Sequence, residues 1–283
     1  MASSYLNIVT FLLTTLFYYM ALKPKLTYET YNNQQQLASY ISSSYIYLAV
    51  YILLVVVIQF MVNTSIISST CGGSMSENIG SAGLLTFLPW MLIFGVLVLV
   101  LTMYPGFKSA FSDVIGYYYV SSSANKLLTD LLIDKNIQSK LDADPTMTTS
   151  KKEAMQSAAD AIIKICGNTS ILINQIVPTN FNNYWDILKP LMKEQYQADG
   201  AESDGMKSKL FDLVVTRDDV GEALWYMYTG ILLTSIVQLK IATKGCASNP
   251  KTMEQNYQKF LEQEQEAQAA QKQSTGTTYT ITN

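Results

Sequence analysis

Three acidic residues, Asp218, Asp219 and Glu222, are the strongest candidates for chemistry in this sequence, because they stand together just before an apolar segment. Such a group could bind a cation close to a membrane surface. Helix capping explains the same acids without a metal, since Thr216-Arg-Asp-Asp219 is typical of a helix N-terminus, where negative charge is favourable. We therefore interpret the three acids as part of a helix cap.

Few other residues could support catalysis. The chain has no histidine, and Arg217 is its one arginine, so His-based acid–base catalysis, His-ligated metals and Ser-His-Asp or Cys-His nucleophiles are excluded. The acidic clusters at 142–144 and 199–204 lack the ligand spacing of a calcium loop. Neither a phosphate loop nor a dinucleotide-binding glycine pattern is present. We expect a protein without enzymatic activity, cofactor or bound metal.

Uncharged segments in the first third of the chain indicate a membrane. Of the 283 residues, 14% are charged, whereas ordinary soluble proteins contain about 25%. Three segments are long and apolar enough to cross a bilayer as helices: 5–22, 45–62 and 84–103. The first is expected to be an anchor and not a cleaved signal peptide, because Lys23 and Lys25 follow its apolar run. Residues 1–103 form the predicted transmembrane region.

A fourth apolar segment, 223–239, is shorter and allows two interpretations. It is either a fourth span that packs its small residues against the others or a buried helix of a soluble domain. Aromatic residues near its start and Lys240 at its end are typical of interface anchors, which favours a span. The four segments contain no charged residue, which counts against an ion pump. An uncharged pore remains an alternative, with four candidate lining residues: Thr229, Gly230, Thr234 and Ser235.

Lysine positions predict the topology of these spans. Lys23 and Lys25 follow the first span and Lys108 follows the third, so these segments should share the cytoplasmic face, where short lysine-rich loops lie. The region 104–222 would then lie on the same side. If 223–239 crosses the membrane, the tail returns to the opposite side, although the lysines that follow this segment oppose that placement.

The three cysteines lie on different sides in this topology. Cys71 and Cys246 fall on the non-cytoplasmic side, whereas Cys166 falls alone in the cytoplasmic region. One hypothesis is a disulfide between Cys71 and Cys246, which needs Cα atoms within roughly 7 Å of each other. The alternative is that all three are unpaired and behave as small apolar side chains.

The region 104–222 is expected to form a helical extramembrane domain that is large enough for its own core. Tyr104-Pro-Gly106 is a turn signal that ends the third span. The further predicted elements are two helices or one kinked helix over 107–135 with an interruption at 121–123, a helix from a capping box at 150–153 to Gly167, a short strand or buried helix at 171–177, an amphipathic helix at 183–197 kinked by Pro190, and an exposed acidic loop at 199–205.

Residues 240–283 form the predicted C-terminal tail. Good helix formers dominate Thr252–Gln273, and the Thr-rich segment after it is expected to be extended. Four apolar residues make a stripe over two or three helical turns: Met253, Tyr257, Phe260 and Leu261. A stripe of this kind suits docking onto a neighbouring protein.

The segment Tyr104-Pro-Gly-Phe-Lys-Ser-Ala-Phe-Ser-Asp-Val-Ile-Gly-Tyr117 resembles a Pro-Gly-aromatic … Phe-Ser … Gly-Tyr stretch in inner-membrane proteins of large icosahedral nucleocytoplasmic DNA viruses. The resemblance covers about 14 residues, and Phe107 and Asp113 depart from the pattern. It implies a component of the lipid bilayer beneath a capsid that contacts minor capsid proteins. The docking residues that we select in this segment are Tyr104, Pro105, Gly106, Phe107, Phe111 and Tyr117.

Together these observations predict a mainly α protein with three or four transmembrane helices, a helical extramembrane domain and a helical or extended C-terminal tail. Its expected function is structural: it would tie the inner membrane of a virion to capsid or minor capsid proteins. The alternatives are an accessory subunit of an organellar membrane complex and an uncharged pore. Expected partners are the lipid bilayer, capsid or other membrane-complex proteins, and further copies of the chain. Nucleic-acid binding is not expected, because the isoelectric point is near 5.1 and no basic arm is present.

Overall fold

The computed structural model describes five stretches of the chain: 3–71, 75–132, 169–189, 192–243 and 250–274. Within these stretches every regular element is a helix, and the single β contact is an isolated bridge between Leu132 and Met192. Four of the described helices are long and apolar enough to cross a membrane. The predicted fold class, mainly α with several potential spans, is therefore confirmed.

The first half of the chain forms three long helical rods. Helix α1 (Ser3–Phe17) ends in a π-helical turn (Tyr18–Leu22), and the short α2 (Tyr28–Asn32) leads into α3 (Gln34–Cys71). The third rod consists of α4 (Met75–Pro89), a π-helical turn (Trp90–Phe94) and α5 (Gly95–Met103). Pro89 lies inside this rod, where it cannot donate a backbone hydrogen bond, and the π turn follows it directly.

The second half begins with the predicted turn after Met103, which is a 3₁₀ helix (Pro105–Lys108). It continues through α6 (Ser109–Phe111), a π-helical turn (Ser112–Gly116) and α7 (Tyr117–Leu131). The remaining elements are α8 (Thr169–Gln175), a 3₁₀ helix (Pro178–Asn180), α9 (Phe181–Leu188), α10 (Glu194–Gln197), α11 (Ala201–Thr243) and α12 (Pro250–Ser274).

Helix α11 contains 43 residues and is about 64 Å long. The predicted cap at 216–219 is wrong, because these residues lie in its interior. The predicted acidic loop at 199–205 is also wrong from Ala201 onwards, since Glu202 and Asp204 belong to the first turn of the helix, where they favour its N-terminus. The predicted boundary at 222/223 falls inside α11, so the predicted extramembrane region and the fourth apolar segment share one helix.

Two other local predictions are settled by the helices. The segment 171–177 forms the helical alternative over most of its length, as α8. The serines at 121–123 do not interrupt α7; the helix is instead disturbed about two turns earlier, at the π turn Ser112–Gly116. The capping box at 150–153, Gly167 and Pro190 lie outside the described residues.

Two cores position the elements. The first lies among α1, α3, the α4–α5 rod and the second half of α11, and its largest side chains are Phe11, Tyr18, Tyr51, Trp90, Phe94 and Tyr226. The second lies among α7, α8, α9 and the first half of α11, and includes Leu128, Ile173, Phe181, Trp185 and Phe211. Many large apolar side chains also face outwards from the four long helices, for example Leu13, Leu53, Leu99 and Leu232. An apolar outer surface is expected where hydrocarbon replaces water as solvent.

Candidate functional site

Four charged side chains meet where the four long apolar helices, which we call the membrane helices, adjoin the second core, which occupies the predicted extramembrane region and which we call the extramembrane core. We call Lys23, Lys108, Asp219 and Glu222 the charge cluster. Lys23 Nζ lies 2.7 Å from Asp219 Oδ1 and 2.7 Å from Glu222 Oε1. Lys108 Nζ lies 2.5 Å from Glu222 Oε2, so each oxygen of this carboxylate faces a different lysine. The Tyr19 hydroxyl also donates to Glu222 Oε1, at 3.1 Å.

Local structure explains how these side chains come together. Lys23 directly follows the π turn of α1, and its N–H donates to the Tyr18 carbonyl. Lys108 ends the 3₁₀ helix that follows the third rod. Asp219 and Glu222 are three residues apart in α11 and therefore lie on the same face of the helix. The C-terminal ends of two parallel rods, α1 and α4–α5, thus converge on one face of α11.

The charge cluster is largely buried. The exposed fraction of the side chain is 12% for Lys23, 16% for Lys108 and 11% for Glu222. Burial acts to lower the pKa of Lys23, but the charges of Glu222 and Asp219 and their hydrogen bonds outweigh it and raise this pKa above its ordinary value. Burial and the charge of Glu222 compete in the same way at Lys108, and its pKa is also raised. Both lysines therefore remain charged at neutral pH.

These contacts change the interpretation of the acidic residues. Helix capping is wrong for Asp219 and Glu222, because they lie in the middle of α11 and accept hydrogen bonds from lysine. The two ammonium groups also occupy the positions beside the carboxylates where a cation would bind. Lys23 and Lys108 lie at the same end of the bundle, since both contact Glu222, as their predicted placement on one membrane face requires.

Two glycines allow the neighbouring helices to approach closely beside the cluster. A Cβ atom at Gly221 would lie 2.6 Å from Ser112 Cβ, and one at Gly116 would overlap the carbonyl of Arg217. The π turn Ser112–Gly116 therefore packs directly on the backbone of α11. This crossing fixes the direction in which the chain leaves the third rod.

Arg217 lies at the same crossing and is fully buried. Its Nη1 donates to the Ile173 carbonyl, and its Nη2 lies 3.7 Å from Asp218 Oδ1. Its Nε has no hydrogen-bond partner among the described residues. The one arginine of the chain thus joins α8 to α11 and keeps one donor unpaired.

A cavity of about 620 Å³, which we call the junction cavity, opens beside the charge cluster. Its walls come from α3, the segment from α5 to the π turn Ser112–Gly116, the loop after α8, and α11. Its lining includes the charge cluster and Arg217 as well as the apolar residues Ile41, Leu48 and Leu101. The cavity lining therefore combines charged and apolar residues.

The predicted docking residues after the third span have two different environments. Tyr104, Pro105, Gly106 and Phe107 are exposed. Phe111 and Tyr117 are half-buried and pack inside the chain: the Phe111 ring meets the Trp225 ring edge-on at 5.0 Å between centroids, and the Tyr117 hydroxyl bonds the Thr169 hydroxyl at 3.3 Å. Only the first four residues present a free surface within the described chain.

The predicted tail helix is confirmed as α12, which extends slightly beyond Thr252–Gln273 at both ends. Tyr257 and Phe260 are more than half exposed and Leu261 is 37% exposed. Met253 also lies in α12, but its side chain is not part of the described structure. The apolar stripe is thus open to a partner at the three residues that are described.

The cysteine hypothesis stays a prediction. Cys71 is the last residue of α3, whereas Cys246 and Cys166 lie outside the described residues. Near this end of the bundle, Ile67 of α3 and Ile241 of α11 belong to the same buried cluster. The helices that lead towards Cys71 and Cys246 are therefore neighbours.

The residues proposed to line a pore point in different directions. Gly230 is buried beneath the Phe11 ring, and Thr234 is buried with its hydroxyl bonded to the Ile231 carbonyl. Ser235 is exposed on the outer surface. Within one chain Gly230 packs α11 against Phe11 of α1, which agrees with the interpretation of 223–239 as a packed helix of the bundle.

A polar network among the membrane helices was missed by the sequence analysis. Asn7 Nδ2 donates to Asn63 Oδ1, and Asn63 Nδ2 donates to Thr86 Oγ1, each at 2.8 Å. Gln59 Nε2 donates to the Asn7 carbonyl at 3.0 Å. The isolated amide side chains within and beside apolar segments were the available signal. In hydrocarbon such groups need partners on other helices, so they fix the pairing of the three rods.

Comparisons with known proteins add no assignment to this geometry. No family model, curated protein or solved structure matches the chain. Its function must therefore be inferred from its own residues and contacts.

Proposed function

We propose that this chain is a structural integral membrane protein that links the inner membrane of a large icosahedral DNA virus to capsid or minor capsid proteins. Helix α11 supports this proposal most directly, because it runs without a break from the extramembrane core into the membrane bundle. A continuous helix resists bending, so force on the extramembrane part would be transmitted into the bilayer.

The charge cluster and the close crossing reinforce this connection. Lys23 and Lys108 bind the ends of two membrane rods to Glu222 of α11. Gly221 allows the backbone at Ser112 to pack on the same helix. Three of the four membrane rods are thus joined at the level where the extramembrane core begins. Such a rigid junction suits a protein that anchors a shell.

The exposed aromatic residues provide the surfaces for partners. Tyr104 and Phe107 lie at the membrane-proximal turn, and Tyr257 and Phe260 lie on α12. Exposed aromatic side chains are favourable contacts in protein interfaces, since they bury a large area at low entropic cost. We propose that the turn and the tail are both docking surfaces, that the one on the shell side of the bilayer binds capsid or minor capsid proteins, and that the chain does no catalysis.

Replacement of both tail aromatics tests this proposal. A Tyr257→Ala/Phe260→Ala double variant should still insert into the membrane, because α12 contributes to neither core. Its incorporation into purified particles, measured by quantitative mass spectrometry, should fall at least several-fold. A Gln258→Ala/Gln263→Ala variant, altered on other faces of α12, should be incorporated normally.

Unchanged incorporation of the double aromatic variant would contradict a docking role for the tail. Detection of the native chain in organellar membranes together with its absence from purified virions would contradict the viral assignment. In that case the accessory-subunit alternative would replace it.

A further inference from the structure

The junction cavity has the composition of a site for an amphiphile. Ile41 and Leu48 of α3 and Leu101 of α5 are among its lining residues, together with charged residues of α11. At about 620 Å³ it can hold a lipid headgroup and the first part of an acyl chain. It also lies at the level where the apolar segments end, which is where headgroups are found.

The charges around the cavity do not balance. Its lining contains three cations, Lys23, Lys108 and Arg217. It also contains four carboxylates: Asp113, Asp218, Asp219 and Glu222. Both lysines are already bound within the charge cluster. One carboxylate charge is therefore left over, and Asp218 has only the longer, 3.7 Å contact with Arg217. The wall thus favours a ligand with a positively charged group.

Two polar atoms of the lining residues are also without a hydrogen-bond partner among the described residues. Arg217 Nε is an unpaired donor on a fully buried side chain, and Asn174 Oδ1 is an unpaired acceptor. An unpaired buried donor or acceptor costs about 1–3 kcal/mol, so such groups usually mark a missing partner. A ligand that satisfies both must contain an acceptor and a donor.

From this lining we propose that the junction cavity binds the headgroup of a phospholipid that carries a primary ammonium group. The phosphate faces the free N–H of Arg217. The ammonium group faces the carboxylates near Asp218 and the carbonyl oxygen of Asn174. One acyl chain follows the apolar lining residues of α3.

Native mass spectrometry of the full-length protein in mild detergent tests this site with three lipids of equal chain length. Phosphatidylethanolamine should bind at least about tenfold more tightly than phosphatidylcholine, the effect of one charge-assisted hydrogen bond, because a trimethylated nitrogen cannot donate. Phosphatidylglycerol should bind more weakly than phosphatidylethanolamine, since it has no ammonium group and the wall carries excess negative charge.

Substitution of Asp218 tests whether the lipid binds in the junction cavity. In the Asp218→Asn variant the preference for phosphatidylethanolamine over phosphatidylcholine should disappear. Asp212→Asn is the matched control, because Asp212 is exposed on the same helix outside the cavity lining, and its preference should equal that of the native chain.

Three results would overturn the proposal. The first is equal binding of phosphatidylethanolamine and phosphatidylcholine, and the second is tightest binding of phosphatidylglycerol. The third is an equal loss of the preference for phosphatidylethanolamine in the Asp218→Asn and Asp212→Asn variants. If Asp218→Asn does not fold, the headgroup order measured on the native chain decides the question alone.

Discussion

Gly230 illustrates how a single residue determines the packing of the membrane bundle. The Phe11 ring of α1 lies where a Cβ of residue 230 would be. Gly205, in the same helix, has open space around it. The two positions therefore differ in packing while they share the backbone conformation of α11.

We expect Gly230→Ala to lower the free energy of unfolding by about 1–3 kcal/mol, the usual effect of overpacking a core. Gly205→Ala should be neutral or stabilising, since alanine favours a helix by up to about 1 kcal/mol over glycine. Thermal or denaturant unfolding in detergent measures both. Equal stability of the two variants would show that Phe11 moves aside without cost.

The charge cluster leads to a second prediction at this scale. Lys23→Met leaves Asp219 without its lysine and Glu222 with only one, and loss of a partner from a buried ion pair costs about 3–5 kcal/mol. Lys189 and Asp199 form a pair of similar length, 2.8 Å, on the surface. Lys189→Met should therefore cost at most about 1 kcal/mol. Denaturant unfolding in the same detergent measures the free energy of unfolding of both variants. A similar decrease in both would mean that burial of the charge cluster does not strengthen its ion pairs.

The role of these residues could be predicted only in part. The sequence drew attention to Asp218, Asp219 and Glu222 because they adjoin an apolar segment. Their lysine partners are 114 to 199 positions away in the chain, so no local pattern could identify them. The charge rule for membrane loops predicted that Lys23 and Lys108 lie on one membrane face, which is consistent with their meeting at one end of the bundle. It carries no information about which acid they contact.

Among the helices, α11 differs most from its prediction. A Thr-Arg-Asp-Asp pattern is typical of a helix start, yet the helix begins at Ala201 and continues to Thr243. Packing explains the difference: Leu210, Phe211 and Val214 are fully buried in the extramembrane core upstream of that pattern. Tertiary burial thus keeps the chain helical through a sequence that would otherwise favour a boundary.

Proline substitution tests whether α11 is continuous through residue 216 or whether a separate helix starts there. In a continuous helix Thr216→Pro should cost about 3 kcal/mol, because proline removes one hydrogen bond and clashes with the preceding turn. Ala201→Pro should be tolerated, since the first helical position needs no N–H donor. Unfolding and helix content by circular dichroism report both effects. Equal tolerance at the two positions would indicate that α11 is broken near residue 216.

Hydropathy predicted the apolar parts of the spans well and their helices less well. The first span ends at Leu22 and the third at Met103, as expected. By contrast, α3 begins at Gln34 and α4 at Met75, well before the predicted starts. Apolar length reflects the thickness of hydrocarbon, whereas a helix can continue into water wherever its polar residues tolerate it.

At the scale of the whole molecule, the contacts of the four rods imply that neighbours in sequence run in opposite directions. Lys23 and Lys108 meet at one end, and Ile67 and Ile241 pack together near the other. If all four rods cross the bilayer, the extramembrane core and α12 must lie on opposite sides of it. This agrees with the topology expected from the lysines of the first three spans.

Cysteine labelling in sealed vesicles tests this arrangement. The variants lack the three native cysteines and carry a single introduced one. Lys189→Cys in the extramembrane core and Gln263→Cys in α12 should react with an impermeant maleimide added on opposite sides of the vesicle membrane. Reaction of both from the same side would mean that α11 does not cross. Detergent-opened vesicles, in which both sites should react, provide the control.

The long sequence separation within the charge cluster has a consequence for synthesis. A ribosome makes Lys23 and Lys108 well before Glu222, so both ammonium groups reach the membrane surface without their counter-ion. Water and anionic headgroups must hold them until α11 emerges and displaces that solvation. Assembly of the bundle is therefore completed only by the last long helix, and a nascent chain that stops before Asp219 would expose two uncompensated positive charges to quality control.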